Sequence, residues 1–443
     1  MSEQLNVAVV GLGYVGSCIA ATLADRGANV IGVDTDSRLI EELHRGYSRF
    51  REQELEEILV RSMAAGTLTV TTDPAAITSS DVVLITVGTP VREDGALADE
   101  QLRSACLSLS KHIRAGQLLV LKSTVPPGTT RDFVMPLLEE SGLVGGVDFQ
   151  LAFAPERLAE GAALAELRTF PIVVGGLDEA STRAAGQFWR QALGVPVMEQ
   201  DSLEAAEIVK LADNWWIDLN IALANELAKY CALFDVDVLD VITAANSIPK
   251  GNGNINILLP SIGVGGSCLT KDPWMVWQSA KRKGLDILTA PAGREVNAAM
   301  PNYTVQLILD ELAAHSIDPG QATIAVLGLA FKNNTGDLRA TPTVGVVTGL
   351  AKAGAQLRLH DPLVDLDHAE ELFGLRPLAT VAEAVDGADC IAILAMHRDF
   401  DDIDLAGLPV AAGCLILDGR AYLAKDRIVE LREQGLRYRG IGR

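Results

Sequence analysis

The sequence predicts an α/β protein: two Rossmann-like doubly wound domains joined by a central helical domain with one long helix. Three observations carry this expectation. Short apolar segments alternate with helical stretches over the first third of the chain, the pattern of a parallel sheet covered on both faces. The same order of segments returns after residue 320. Between them, residues 202–232 contain neither Gly nor Pro and read as a single helix.

Taken in order, an apolar strand at 5–10 runs into GLGYVG at 11–16, and a helical stretch follows to about Arg26. NVIGVD ends a second strand at Asp34. DVVLITVGTP (81–90), QLLVLKSTVPPG (117–128) and LAFAPER (151–157) supply three more. In the last third, ATIAVLGLAF (322–331) resembles the opening strand, and AQLRLHDP (355–362) reaches Asp361 much as the earlier strand reaches Asp34. DCIAILAMH (389–397) parallels DVVLITVGT, and GCLILDGR (413–420) parallels QLLVLKST. In the middle, Ile208, Leu211, Trp215, Leu219 and Leu223 recur at helical spacing. A helix this long is unusual in a globular protein, and it is expected to run through the molecule and carry a dimer interface. The domain boundaries expected from this reading are 1–200, 201–305 and 306–443.

Composition narrows the class. At 443 residues, with 49% hydrophobic and 21% charged residues, the chain has the make-up of a globular α/β protein with more than one core. No apolar run approaches the roughly 18–20 residues of a membrane helix, and the opening MSEQLNVAVVGLG has no basic stretch leading into a leader-length apolar segment. A cytoplasmic protein without a membrane partner is expected. A net charge of −21 disfavours nucleic acid as a partner. The six cysteines, at 18, 106, 231, 268, 390 and 414, form no CxxC pair, so neither a zinc site nor a disulfide framework is expected. Most are expected to be buried thiols.

Five motifs carry chemistry. Gly11, Gly13 and Gly16 follow a strand and open a helix, and Asp34 lies about 20 residues on, the context of a dinucleotide fingerprint. The glycines allow a tight turn and close approach of the backbone to a pyrophosphate, and the helix N-terminus offers unpaired N–H groups. A carboxylate at Asp34 suits a ribose diol, which favours NAD over its 2′-phosphorylated form. In GVGGSCLTKDP (263–273), small residues leave the Cys268 thiol sterically open just ahead of a helix start, a setting for a nucleophilic cysteine. Asp272 followed by Pro273 also reads as a helix N-cap. On the long helix, Lys210 and Asn214 share a face, although a lone Lys in an apolar helix more often snorkels to solvent and Glu204 and Glu207 could form surface ion pairs. KSTVPPG (122–128) and PERLAEG (155–161) follow strands at the ligand-binding end of an open sheet, which makes Thr124, Glu156 and Glu160 candidate polar groups. Finally, Lys332 and Arg339 in FKNNTGDLRATPT (331–343) are two cations beside a helix start, a setting for phosphate.

Together these motifs resemble the UDP-glucose/GDP-mannose dehydrogenase family. The likeness covers nearly the whole chain: GLGYVG, VGTP, KSTVPPGTT, PERLAEG, the Lys210/Asn214 helix, GVGGSCLTKDP, FKNNTGDLRATP and DGR stand in order. The resemblance implies an NAD-binding N-terminal domain, a helical domain that builds a homodimer, and a C-terminal domain for the nucleotide. It implies Cys268 as nucleophile, with Lys210, Asn214 and Asp272 around the reacting C6 of a nucleotide sugar. Thr124 and Glu156 would position water or assist proton transfer. The cofactor would lie against Gly11, Gly13, Tyr14, Val15, Gly16, Asp34, Gly88, Thr89, Thr124 and Glu160, with Arg339 at its phosphates. The substrate would meet Glu156, Lys210, Asn214, Gly265, Lys332 and Arg420.

The chemistry so implied is an NAD-dependent, four-electron oxidation of a nucleotide-sugar C6 alcohol to the uronic acid through a thioester on Cys268, with Lys210 and Asn214 stabilising the C6 oxyanion. The UDP-glucose 6-dehydrogenase type is the leading expectation. UDP-N-acetylmannosamine, UDP-N-acetylglucosamine and a dTDP-sugar are the alternative substrates, and a two-electron hydroxy-acid dehydrogenase is the more distant one. The cysteine loop, with GGSC and KD, looks like the UDP-glucose branch, whereas REVNAAMPNY (294–303) looks like the branch acting on N-acetylated hexosamines. The stretch PKGNGNINILLPSIGVGG lacks the Arg that UDP-glucose enzymes often carry there, leaving Lys250 or an Asn in its place.

Overall fold

The computed structural model describes residues 4–50, 52–251 and 253–443, so the first three residues of the opening segment, Arg51, and Asn252 among the asparagines near Lys250 lie outside the described residues. The chain divides into two compact units, Met1–Asp213 with Trp274–Asp286, and Asn214–Pro273 with Ile287–Arg443.

In the first unit, β1 (Asn6–Val10), β2 (Asn29–Val33), β3 (Leu68–Thr71), β4 (Val82–Ile85), β5 (Leu118–Leu121), β6 (Gln150–Phe153), β7 (Ile172–Gly176) and β8 (Val197–Gln200) form one sheet in the order β3-β2-β1-β4-β5-β6-β7-β8. Only β6 and β7 pair antiparallel. The first six strands follow the Rossmann order, whose switch point between β1 and β4 is where a ligand binds. Val7 and Val9 enter one core and Ala8 and Val10 the other, so both sheet faces are covered and β1 reads as an unbroken apolar run. The strands that the sequence left unmarked have a weaker signal for a physical reason. β3 and β8 are sheet edges, β3 alternating in exposure and β8 buried at no position, and β7 is three apolar residues closed by two glycines.

The second unit contains a small antiparallel hairpin, β9 (Pro249–Lys250) with β10 (Gly253–Asn254). Its sheet is all parallel: β11 (Thr323–Leu327), β12 (Gln356–His360), β13 (Cys390–Ile393), β14 (Leu415–Asp418) and β15 (Arg437–Gly440), in the order β12-β11-β13-β14-β15. This is the other common doubly wound order, five strands with the switch point between β11 and β13. The repeat seen in the sequence extends to single hydrogen bonds. Leu12 N donates to Asp34 at 2.6 Å, and Leu329 N donates to Asp361 at 2.7 Å. β15, with Arg437 and Arg439 on alternate positions, carries no apolar run and was not expected.

The helix Leu203–Ala232 coincides with the Gly- and Pro-free stretch, and it buries polar residues among its apolar ones. Of the five apolar residues read as its stripe, only Leu211 is buried; Ile208 and Leu223 are each 51% exposed. The buried positions include Glu207, Lys210, Asn214, Asp218 and Asn225, while Trp216 and Tyr230 join Ile208 and Leu223 on the exposed side. No helix among the described residues is long and apolar enough to cross a membrane.

In the second sheet Asp361 is fully committed. It accepts Leu329 N, Ala330 N at 3.2 Å and Leu363 N at 2.8 Å, and meets His397 Nε2 at 3.0 Å. Asn334 N donates to His397 Nδ1, so the ring carries its proton on Nε2 and donates it to Asp361. The pair thereby ties the loop after β11 to the loop after β13. Burial alone would raise the Asp361 pKa, but His397 and the loop amides outweigh it and hold the carboxyl below its usual value. A depressed carboxylate contributes stability above its unfolded pKa and loses it as pH falls through the folded one. His397→Ala is expected to cost about 1–3 kcal/mol in urea unfolding at neutral pH. It should also flatten the loss of stability on acidification below about pH 5; an unchanged acid slope would show that His397 does not set the ionisation of Asp361.

Candidate active site

At the switch point of the first sheet, β1 ends in Gly11, whose φ of +95° suits glycine, and Gly11 N donates to Val33 O at 2.8 Å. A Cβ on Gly16 would lie 1.8 Å from Gly11 O, so this position must be glycine for the helix Tyr14–Asp25 to seat on the turn. A Cβ on Gly13 would meet nothing within 4 Å. The helix N-terminus at Gly13 has no side-chain cap. Open space, uncapped first-turn amides and a nearby carboxylate are what a dinucleotide pyrophosphate and ribose need. Asp34 spends one hydrogen bond on Leu12 N and one on Asp36 N, at 2.9 Å, which leaves carboxylate lone pairs for a ribose diol. The residues present therefore fit NAD.

The other expected cofactor positions border this turn or follow the neighbouring strands. The Tyr14 hydroxyl donates to Glu52 and accepts Gly161 N at 3.1 Å, which fastens the glycine loop to the PERLAEG segment. Burial, then Glu52, pushes the Tyr14 pKa up. Val15 is half-buried in the first turn of that helix. Gly88 and Thr89 lie just beyond β4; Thr89 is buried, and a Cβ on Gly88 would meet the Gln101 side chain. Glu160, half-buried, carries its charge close enough to act on Cys18, as Glu52 and Glu156 do.

Beyond β5 and β6, the same unit buries a charged cluster. Lys122 is 1% exposed, donates to Ala154 O at 3.0 Å and lies 4.6 Å from the Trp189 ring centre. Burial lowers its pKa to about 8, with Glu156 opposing the shift and Lys210 adding to it. Burial raises the Glu156 pKa, and the two lysines and its backbone amides pull it back. Lys210 is buried beside these groups rather than snorkelling to solvent, the alternative the sequence allowed. Thr124 follows Lys122 by two residues and is half-buried. Glu204 forms the expected surface ion pair, with Arg131 at 2.7 Å. Glu207 does not: it is fully buried and accepts Gly128 N at 2.6 Å, Thr130 N at 2.9 Å and Thr130 Oγ1 at 2.6 Å. It thus pins the KSTVPPGTT loop to the long helix, and burial raises its pKa to about 7.

In the second unit, Cys268 lies in a turn that precedes the helix Asp272–Arg282. Its carbonyl accepts Lys271 N at 3.1 Å and Asp272 N at 2.9 Å. It is exposed, while the other five cysteines are buried; burial pushes the Cys106 and Cys414 thiols up to about 12. Asp272, expected to double as an N-cap, is instead the first residue of the helix. Its carboxylate turns sideways to accept Asn214 Nδ2 and to pair with Lys271 Nζ at 2.6 Å. Asn214 and Asp272 thus meet one turn after the thiol.

Gly265, Lys332 and Arg420, three of the expected substrate residues, line one cavity of about 300 Å3 together with Phe331 and Tyr422. A Cβ on Gly265 would lie 2.5 Å from Phe331 Cβ and 2.7 Å from Ala340 O, so the cysteine loop must be bare of side chains where it crosses the 331–343 loop. Arg420 donates to Leu394 O at 2.9 Å and to Phe331 O at 2.6 Å, and burial lowers its pKa to about 10. Arg339, the other cation of that stretch, pairs with Asp337, its Nε donating to the carboxylate at 2.8 Å. Lys122, Glu52 and Glu207 were not singled out for these roles. Lys122 stood inside a quoted motif, Glu207 had only its helical register with Lys210 and Asn214, and nothing in the sequence marked Glu52.

Comparison with known proteins shows the family. The chain belongs to the UDP-glucose/GDP-mannose dehydrogenase family: the family's NAD binding domain matches residues 5–193, its central domain 204–299 and its UDP binding domain 325–425. It is an NAD-dependent nucleotide-sugar dehydrogenase. The chain is 32% identical over 440 residues to UDP-N-acetyl-D-mannosamine dehydrogenase of Pyrococcus horikoshii, covering 99% of each. It is 31% identical over 446 residues to a UDP-glucose 6-dehydrogenase of Bacillus subtilis, covering 99% of this chain and 98% of that one. Among solved structures, the UDP-D-ManNAc dehydrogenase of P. horikoshii superposes with a TM-score of 0.89 at 32% identity, covering 99% of each chain. A UDP-glucose dehydrogenase of Pyrobaculum islandicum gives 0.87 at 31%, covering 100% of this chain and 98% of that one.

Lys122→Met removes a buried cation that opposes burial at Glu156 and should move the Glu156 pKa further up. If Glu156 serves as a base, the acid limb of the kcat/KM profile shifts to higher pH; a limb that stays in place or moves down would contradict the coupling.

Proposed function

We propose that the enzyme oxidises the C6 alcohol of a UDP-N-acetylhexosamine, UDP-N-acetyl-D-mannosamine foremost, to the uronic acid through a thioester on Cys268. The observation that carries the mechanism is the exposure of Cys268 alone among the cysteines, in the turn that leads into the Asp272–Asn214 contact. The sugar assignment departs from the UDP-glucose expectation. It is supported by the five relatives named UDP-N-acetyl-D-mannosamine dehydrogenase that precede the B. subtilis enzyme in similarity. The sequence REVNAAMPNY and the missing Arg before the cysteine loop support it too.

In this reading residues 1–200 hold NAD, 201–305 build the dimer and 306–443 hold the nucleotide. NAD supplies the hydride acceptor, one equivalent for each of two stages. The alcohol first loses a hydride and a proton to become an aldehyde. The Cys268 thiolate adds to the aldehyde carbon, and Lys210 and Asn214 hold the resulting oxyanion. Loss of a second hydride leaves the carbon as a thioester. Water, positioned by Thr124 and Glu156, adds to it; the C–S bond breaks, the thiolate returns and the carboxylate departs. One alcohol, one water and two NAD give one carboxylate, two NADH and three protons. Lys332 and Arg420 hold the nucleotide end, and Glu160 and Arg339 contact the cofactor. The apolar residues exposed along the long helix, Ile208, Trp216, Leu223 and Tyr230, support a homodimer formed across that face. We place the enzyme in the cytoplasm, where an exposed reactive thiol stays reduced.

The test is a panel of UDP-N-acetylmannosamine, UDP-N-acetylglucosamine, UDP-glucose and dTDP-glucose with NAD, scored as NADH per sugar consumed. Two NADH per N-acetylated sugar are expected in the wild type, and Cys268→Ser should fail to complete the second stage. Turnover confined to UDP-glucose would move the assignment to the second reading, which the GGSC and KD of the cysteine loop favour. One NADH per sugar on every substrate would reject the thioester route.

A further inference from the structure

The half of the long helix that follows Asn214 buries two polar residues that the steps above do not use. Asp218 is 1% exposed and Asn225 is 0% exposed. Both meet the helix Thr289–Ala314 through Arg294 and Asn297, which are also buried. Arg294 Nη1 donates to Asp218 Oδ1 at 2.6 Å and to Leu269 O at 3.4 Å, next to Cys268. Asn297 Nδ2 donates to both the carboxylate and the carbonyl of Asp218 at 2.9 Å, and Asn297 Oδ1 accepts Asn225 Nδ2 at 2.9 Å. Asn225 Oδ1 in turn accepts Ser261 N at 2.8 Å, and Ser261 Oγ donates to Gly263 O at 2.9 Å. The chain of bonds therefore starts on one side of the cysteine loop, at Ser261 and Gly263, and ends on the other, at Leu269.

We propose that Asp218, Arg294, Asn297 and Asn225 are positioning residues that clamp both ends of the 261–269 loop and so fix the Cys268 thiol against the face of the long helix that carries Asn214. The inference rests on the reading of Cys268 as nucleophile. A loop rich in glycine has many conformations open to it, and the thiol needs one of them. Burying a carboxylate with a guanidinium is a costly way to gain stability, since a well-packed apolar pair often does as well. Such a pair earns its place by specifying one arrangement of backbone, here through the peptide carbonyls and amides that it grips. The geometry also gives REVN at 294–297 a role: Arg294 and Asn297 are one turn apart and reach the same carboxylate.

The test uses the full-length enzyme in single turnover with excess enzyme, following the two NADH-forming phases separately. Arg294→Met should leave the first phase and the KM for the sugar nucleotide within about twofold, because the thiol takes no part in the first hydride loss. The second phase should slow about 100-fold, the scale of an ångström-sized misplacement. Alkylation of Cys268 by iodoacetamide should change in parallel, and Arg294→Lys, which keeps the charge and loses the fork, should restore only part of the second phase. Equal slowing of both phases together with a lowered Tm would assign the cluster to the scaffold and overturn the proposal, as would two unchanged phases. Should Arg294→Met not fold, Arg294→Lys and Asn297→Ala carry the same measurement; loss of folding in all three overturns positioning in favour of a scaffold role. A wild-type enzyme that releases one NADH per sugar would instead defeat the thioester reading itself.

Discussion

The structure depends on the hydrogen-bonded polar face of one helix. Along Leu203–Ala232 the buried positions include Glu207, Lys210, Asn214, Asp218 and Asn225, groups that cost several kcal/mol each to remove from water unless paired. With the exception of Lys210, which lies among charges, each has a named partner. Glu207 takes the KSTVPPGTT loop, Asn214 takes Asp272, Asp218 takes Arg294 and Asn297, and Asn225 takes Ser261. A helix that buried leucines on this face would be more stable and would hold none of these loops in place. The polar stripe is where stability is exchanged for geometry, and each of these loops is fastened to it by one to three bonds.

The two sheets show how one βα turn can be put to two uses. In both, the glycine that ends the first strand is followed by an amide bonded to the Asp at the end of the second, Asp34 or Asp361. At Asp34 the remaining partner is a single local amide, and the turn beyond it is open at Gly13. At Asp361 the oxygens are filled by further amides and by His397, and the carboxylate serves to lock loops together rather than to meet a ribose. The same turn thus stays open in the NAD binding domain and locks two loops together in the UDP binding domain.

Much of this was legible in the sequence, and what was not has a physical cause. Central strands such as β1 and β11 are covered on both faces and announce themselves as apolar runs, whereas the edge strands β3 and β8 are half exposed and do not. The length of the long helix followed from the absence of Gly and Pro. Which face it buries did not, because the helical spacing of Ile208, Leu211, Trp215, Leu219 and Leu223 says nothing of the polar residues Glu207, Asp218 and Asn225 that packing encloses. Cys268 stood out because small residues surround it. The clamp around it was silent: Asp218 and Arg294 are 76 residues apart, and no local pattern joins them. Local signals betray turns, caps and strands, but a buried pair assembled by tertiary packing leaves no spacing to read.

The thioester route requires that the sugar's C6 carbon be transiently bonded to the sulfur of Cys268. Rapid acid quench of the enzyme during turnover, followed by mass spectrometry of the peptide containing Cys268, tests it most directly. The expected result is an acyl adduct of the sugar nucleotide on that cysteine, removed by hydroxylamine as a thioester is. An enzyme that turns over with every cysteine unmodified, or with the adduct on another residue, would contradict it.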